Sequence, residues 1–336
     1  MDLTLLRAYL AEVPDVELPI SDPVRRGIDD EAAYLASDAA VASLAQDTYW
    51  PKWRSPWWSM VLLDELGAAD RIPARIVEAM VAGLQALPLH TFPIAASDWP
   101  PGANRARDST CHCALGCMTR VLTACGVDVA AALPWAPPWF TRYQMADGGY
   151  NCDESAYLVP DECPSSMVGT ISLLEAMTLG PPSDVCDRAA QMVLGRGLTA
   201  GSTTRHNADE RIAAQAWGAP CFPRFYYYDT LRGLAAVVAW ATAHRRALPA
   251  TAIAPTVAAL AAAAPDGVVR IGRSAVAGRT TWACGDDGAW SRQATSTFPL
   301  LDAVGQVGAP SPALTHQWHR TRQRLRGLVD AGLVTG

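Results

Sequence analysis

The sequence predicts an all-α protein built from helical hairpins, and three observations carry that expectation. Apolar residues recur at helical spacing through most of the chain. Strand signals are few. Pro and Gly punctuate the helical stretches so that hairpins recur about every 45 to 55 residues. The loose period and the Gly-rich turns favour a closed helical barrel over an open solenoid.

The elements follow in order. Residues 1–48 read as an N-terminal helical extension. From Pro56 to Leu66, Trp57, Met60, Val61 and Leu63 form a stripe that Gly67 stops. Ile76 to Leu87 repeats the pattern. Cys113 to Cys125 puts Cys113, Cys117, Val121 and Cys125 on one face, ended by Gly126. Ser166 to Leu179 carries Val168, Ile171, Leu174 and Met177, ended by Gly180-Pro181-Pro182. Further helices are expected over Asp187 to Leu194, Asp229 to His244, Thr256 to Ala263, Ser296 to Val304 and Thr315 to Ala331. The best strand is Val268 to Ile271, with Thr280-Thr281-Trp282 opposite it. Long Pro- and Gly-rich loops at 99–102, 134–138 and 160–164 suit a site rim. No linker stands out, so 1–336 reads as one domain.

Composition narrows the function. Of 336 residues, half are apolar and 18% charged, enough for a sizeable core. The net charge of −6, without a basic run, argues against a nucleic-acid partner. Met1-Asp2-Leu3-Thr4 does not open a signal peptide. The Ala-rich run from Ala250 to Ala264 is interrupted by Pro255 and falls short of the roughly 18 to 20 apolar residues of a transmembrane span. Nine scattered Cys, an odd number, fit reduced thiols and a cytoplasmic location.

The most informative segment runs from Gln144 through Asp147-Gly148-Gly149-Tyr150 to Asn151-Cys152-Asp153. Its glycines allow a tight turn, its Tyr can fold back on a helix end, and a thiol and a carboxylate lie just beyond. Similar turns at Pro265-Asp266-Gly267 and Asp286-Asp287-Gly288-Ala289-Trp290 suggest a helical repeat.

With other blocks, this segment resembles the squalene/hopene cyclases and prenyltransferase-fold proteins, and more closely an uncharacterised bacterial group of squalene-cyclase-like proteins. The blocks are Tyr49-Trp50-Pro51-Lys52-Trp53, Cys111-His112-Cys113, Asp147 to Asp153, Ser165-Ser166 with Leu173-Leu174-Glu175-Ala176, and Phe222 to Arg232. The resemblance spans roughly residues 50 to 305. It implies an (α/α)6 toroid with a central cavity for a small apolar or isoprenoid-like substrate. The ion chemistry of those families is not expected. No Asp-x-Asp-Asp motif occurs, since Asp286-Asp287 lacks the preceding acid, and Asp29-Asp30-Glu31 lacks Asp-Asp-x-x-Asp spacing. Asp147 matches the zinc-binding Asp of protein prenyltransferases, but Gly149 replaces the Cys and Ser166 the His.

The candidate centre therefore comprises Cys113, Asp147, Cys152, Asp153, Tyr227 and Asp229. Cys111, Cys113 and Cys152 suit zinc, the candidate cofactor, or serve as small buried apolar residues. His112 points elsewhere if its segment is helical. Cys152 can act as a nucleophile if a base such as His206 reaches it. Tyr227 stands where the resembled group carries a His. Tyr226 and Tyr227 can orient a substrate or stabilise a cation, and Asp229 can donate a proton or cap the next helix. Trp57, with Trp50, Trp53 and Trp58, lines an apolar cavity or forms core. Trp135 and Trp139, read as loop residues, suit a cavity rim. Arg224, with Arg105, Arg107 and Arg205, can hold an anionic head group. His316 and His319 read as surface packing, and His90 has no assigned role. Two other functions fit: a non-catalytic barrel that holds a hydrophobic ligand, and a carbohydrate-active α/α barrel with paired carboxylates.

Overall fold

The computed structural model describes residues 3–87, 90, 92–104, 108, 111–276, 279–285 and 287–336. The chain is predominantly helical. Its α-helices are α1 (Leu3–Glu12), α2 (Asp22–Leu35), α3 (Asp38–Gln46), α4 (Pro56–Glu65), α5 (Ala74–Gln85), α6 (His112–Ala124), α7 (Val129–Ala132), α8 (Ala136–Arg142), α9 (Met167–Thr178), α10 (Asp184–Gly195), α11 (Asp209–Ala214), α12 (Thr230–His244), α13 (Ala250–Ala263), α14 (Pro299–Val304) and α15 (Pro312–Asp330).

Local chemistry sets the helix starts. Ser166 accepts a hydrogen bond from the Gly169 amide, Ser183 from Cys186, Asp229 from Arg232 and Ser311 from Leu314. Each side chain satisfies a donor that the first helical turn leaves free. Proline opens α2, α4, α14 and α15, where its missing N–H costs nothing.

α4 packs on α6, α6 on α9, α9 on α12 and α12 on α15. The α6–α9 contact is the most extensive, and Gly116 explains it. A Cβ there would lie 2.5 Å from the carbonyl carbon of Ser172, so only glycine lets the two backbones come this close. α6 and α9 are buried almost all round, consistent with core helices. The first three helices are not an appendage. α1 packs on α13 and α15, α2 on α4 and α14, and α3 on α4 and α5.

Three expectations change. α13 begins at Ala250 and runs through Pro255. Pro255 sits on the exposed face, where water can solvate the carbonyl that loses its partner. Val268 to Ile271 forms no strand, only a single bridge between Arg270 and Pro310. β1 (Leu248–Pro249) instead pairs in parallel with β4 (Val334–Thr335), and β2 (Thr280–Cys284) pairs antiparallel with β3 (Trp290–Ala294). The Asp287-Gly288 turn is thus the tip of a β-hairpin, not a helical repeat; Asp286 lies outside the described residues.

Candidate functional site: three thiols beside a caged lysine

The Gln144–Asp153 turn is held by its own polar groups. Gly148 adopts φ +93°, and its amide donates to the Met145 carbonyl. Gln144 donates to the carbonyls of Gly148 and Val185. Tyr150 donates to the Phe140 carbonyl at the end of α8 and bridges to Ser166, where α9 starts. Asn151 accepts the Asp153 amide and donates to the Pro164 carbonyl. Together these contacts fix Cys152 against the N-terminus of α6.

There the Cys113 amide donates to Cys152 Sγ at 3.4 Å, and Cys111 Sγ lies 3.1 Å from Cys113 Sγ. The sulfurs of Cys111, Cys113 and Cys152 all lie within 4.8 Å of one another. Cys113 is buried and the other two are half-buried. Hydrogen bonds from Cys113 and Cys152, the Ala114 amide and the Lys52 charge hold the Cys111 thiol well below the usual range. The hydrogen bond to Cys111, burial and the charge on Cys111 push Cys113 and Cys152 well above it, so a negative charge on one sulfur opposes ionisation of the other two.

Lys52 supplies the facing positive charge. Its ammonium lies 4.8 to 5.9 Å from the ring centroids of Tyr49, Trp50, Trp53 and Tyr226 and donates to Tyr226 Oη at 3.1 Å. Among the described residues no carboxylate pairs with it. Burial lowers its pKa, and the three sulfurs oppose that shift. Two bulky residues flanking the site, Trp53 (φ 63°) and Phe225 (φ 53°), are in the left-handed region, where side chains are strained. Each follows a Pro-cation pair, Pro51-Lys52 or Pro223-Arg224.

His112 stands behind the cluster, fully buried. Trp139 Nε1 donates to His112 Nδ1 at 2.8 Å, so the ring proton is on Nε2, facing Tyr157 Oη at 2.8 Å. Tyr157 passes its own hydrogen to the Tyr143 carbonyl. Burial pushes the His112 pKa down to about 3 and keeps the ring neutral.

No known protein family, curated protein or solved structure matches this chain.

The other candidates fall away from the thiols or into structural roles. Asp147 accepts from the Gly149 amide and Ser165 Oγ, with Arg196 at 3.7 Å. Asp153 is half-exposed and pairs with His206 Nε2 at 2.8 Å, so neither residue serves the thiols. Asp229, fully buried, accepts from the amides of Cys221 and Arg232 and from the Arg224 guanidinium. It caps α12 and pairs with Arg224, and both of its carboxylate oxygens accept from these donors. Arg224 is held by Asp229 and Gln317. Tyr227 receives the Tyr226 hydroxyl at 3.3 Å, with the Arg279 guanidinium over its ring.

Trp139 belongs to α8 rather than a loop and is core, as is Trp57. Trp135, the N-cap of α8, stacks on His90 and donates to Gln85. Arg205 is exposed against Glu162, and Arg105 and Arg107 lie outside the described residues. Lys52 escaped the sequence reading, although a lone cation inside Tyr49-Trp50-Pro51-Lys52-Trp53 was its signal.

Further along the same helices, partly buried ion pairs link Asp64 to Arg120 (2.7 Å), Arg120 to Glu175 (2.9 Å) and Glu175 to the buried Arg232 (2.7 Å). They floor a cavity of about 1130 Å³ that does not reach the thiols. No helix among the described residues is long and apolar enough to cross a membrane.

Proposed function

We propose that this chain is an enzyme whose centre is a zinc ion held by Cys111, Cys113 and Cys152, on a toroid of helical hairpins, acting on a small apolar molecule. The observation that carries the reading is the mutual approach of the three sulfurs to within 4.8 Å. Tetrahedral zinc with bonds of ~2.3 Å needs sulfurs about 3.8 Å apart, a spacing that small side-chain rotations can reach from here. Three protein ligands leave one position for water or substrate, the pattern of catalytic rather than structural zinc.

Charge supports the same assignment. Three thiolates and a divalent ion sum to −1, and Lys52 offsets that charge from within its aromatic cage. When bound, the ion would act as a Lewis acid or activate a water or thiol nucleophile. The chain's own part is to hold the reacting molecule against Tyr49, Trp50 and Tyr226 and to move a proton. Lys52 donates to Tyr226, and Tyr226 donates to Tyr227, so the Lys52 ammonium would hold a proton at the edge of the aromatic cage for that molecule. The toroid finds support in the sequential packing of α4, α6, α9, α12 and α15, with α5, α10 and α13 from the intervening segments. An isoprenoid-like substrate rests on resemblance alone.

A second reading rests on the 3.1 Å separation of Cys111 and Cys113: a Cys-x-Cys dithiol that passes two electrons and two protons to a partner disulfide, reducing it to two thiols as the Cys111–Cys113 bond forms. Metal analysis of the purified protein, before and after chelation, separates the two. One zinc per chain, lost in Cys113→Ser, supports the metal centre. Metal-free protein with three titratable thiols at this site would overturn it and favour the dithiol.

A further inference from the structure

The cavity floored by Asp64, Arg120, Glu175 and Arg232 stands apart from the thiol centre, and its walls differ sharply in character. One wall is α15, which presents His316, Arg320 and Arg324 at intervals of four residues, hence on one face. Among the described residues no carboxylate forms an ion pair with Arg320 or Arg324. Burial lowers the pKa of Arg324, and the like charge of Arg320 lowers it further. Burial and the charges of Arg320 and His319 lower the pKa of His316, and Glu17 opposes them.

The floor does not neutralise that wall, because its charges already answer one another. Arg120 meets Asp64 and Glu175, Arg232 meets Glu175, and Arg224 meets Asp229. Burial raises the pKa of Glu65, which favours its neutral form. Nη2 of Arg120 is itself buried and lies 4.0 Å from Glu65 Oε1, so the floor keeps its cation turned inward. Facing α15, α12 contributes Ala235, Ala239 and Ala243, and Leu179 and Val304 extend the apolar surface. Leu179 is 54% exposed, unusual for a large apolar residue on a cavity wall.

We infer that this cavity binds an amphipathic anion: a carboxylate or phosphate head on Arg320 and Arg324, and an apolar chain against the alanine face of α12. The guanidiniums suit either head group, since both offer paired oxygens to a planar fork. The volume, at the upper end of ligand pockets, accommodates a long chain.

Titration calorimetry on the full chain below micellar concentrations tests this with dodecanoate, dodecyl phosphate and dodecanol. Both anions are expected to bind at least tenfold more tightly than the alcohol, and the tighter one identifies the head group. In Arg320→Ala/Arg324→Ala, both on the exposed face of α15, that preference should vanish while dodecanol binding stays unchanged. Ala239→Leu should weaken all three ligands. Equal binding of alcohol and anions, no binding at all, or unchanged anion affinity in the double arginine variant would each overturn the inference. Zinc content should remain the same throughout, so failure here is distinguishable from failure of the thiol centre.

Discussion

The backbone amide of Cys113 donates to the sulfur of Cys152, 3.4 Å away, and so ties the loop before α9 to the first turn of α6. This bond orients Cys152 toward Cys111 and stabilises negative charge on sulfur. Cys152→Ser should lower bound zinc at least tenfold, measured by elemental analysis, with the far-UV circular dichroism unchanged. Retention of full zinc would remove Cys152 from the ligand set.

Lys52 faces the thiols without a carboxylate partner among the described residues, so its charge acts on the sulfurs and whatever they hold. Lys52→Met keeps the length of the side chain and removes the charge. Zinc affinity, read by competition with a chromophoric chelator, should fall about tenfold, equivalent to roughly 1.4 kcal/mol. In metal-free protein the alkylation rate of Cys111 by iodoacetamide should fall as well, because its thiolate loses a stabilising cation. An unchanged affinity and rate would show that the cage is packing alone.

The ion network under the cavity gives a pH signature. Despite the opposing effect of burial, the charges of Arg232 and Arg120 and the hydrogen bond from Arg232 hold Glu175 down to about 2, below its ordinary 4.5. A depressed carboxylate contributes stability that is present above the unfolded pKa and lost as pH falls from about 4.5 toward 2. The slope is about 1.4 kcal/mol per pH unit at most. Glu65, raised by burial, acts in the opposite sense, its contribution declining as pH rises. Urea unfolding of Glu175→Gln should be flatter over pH 2 to 4.5 than that of the parent. At neutral pH the variant should lose about 3 to 5 kcal/mol, because Arg232 is left buried with a missing partner.

Gly116→Ala should cost about 1 to 3 kcal/mol by denaturant unfolding, the range for overpacking a tight core. The added methyl group meets the backbone of Ser172, which cannot rotate away as a side chain would. Gly327→Ala, where no atom lies within 4 Å, is the control and should be neutral or slightly stabilising.

Much of the helical framework was legible because its punctuation is chemical. Proline before Trp57 and serine before Met167 mark starts that the structure retains within a residue or two. The three cysteines were legible as a group from their residue type, and their meeting depends on a tertiary contact between α6 and the loop before α9. What escaped was set by partners distant in sequence. Asp153 turns to His206, 53 residues on, and Asp229 to Arg224. Trp139 reads as a loop residue among prolines, yet those prolines begin α8, and its indole is buried against His112. β3 went unseen because Trp-Ser-Arg-Gln-Ala is largely exposed and has no alternating apolar pattern.

The near-contact of α6 and α9 at Gly116 has a bearing on metal uptake. Helices whose backbones interlock cannot slide past one another, so the separation of their N-terminal ends is set by the core rather than by an ion. The Cys111–Cys113 pair rides on one of those ends, and Cys152 is anchored beside the other through Tyr150 and Ser166. If the proposed zinc binds here, it meets a site already formed by the fold. Chelation should then empty it without melting the protein, in contrast to small zinc domains in which the ion itself drives folding.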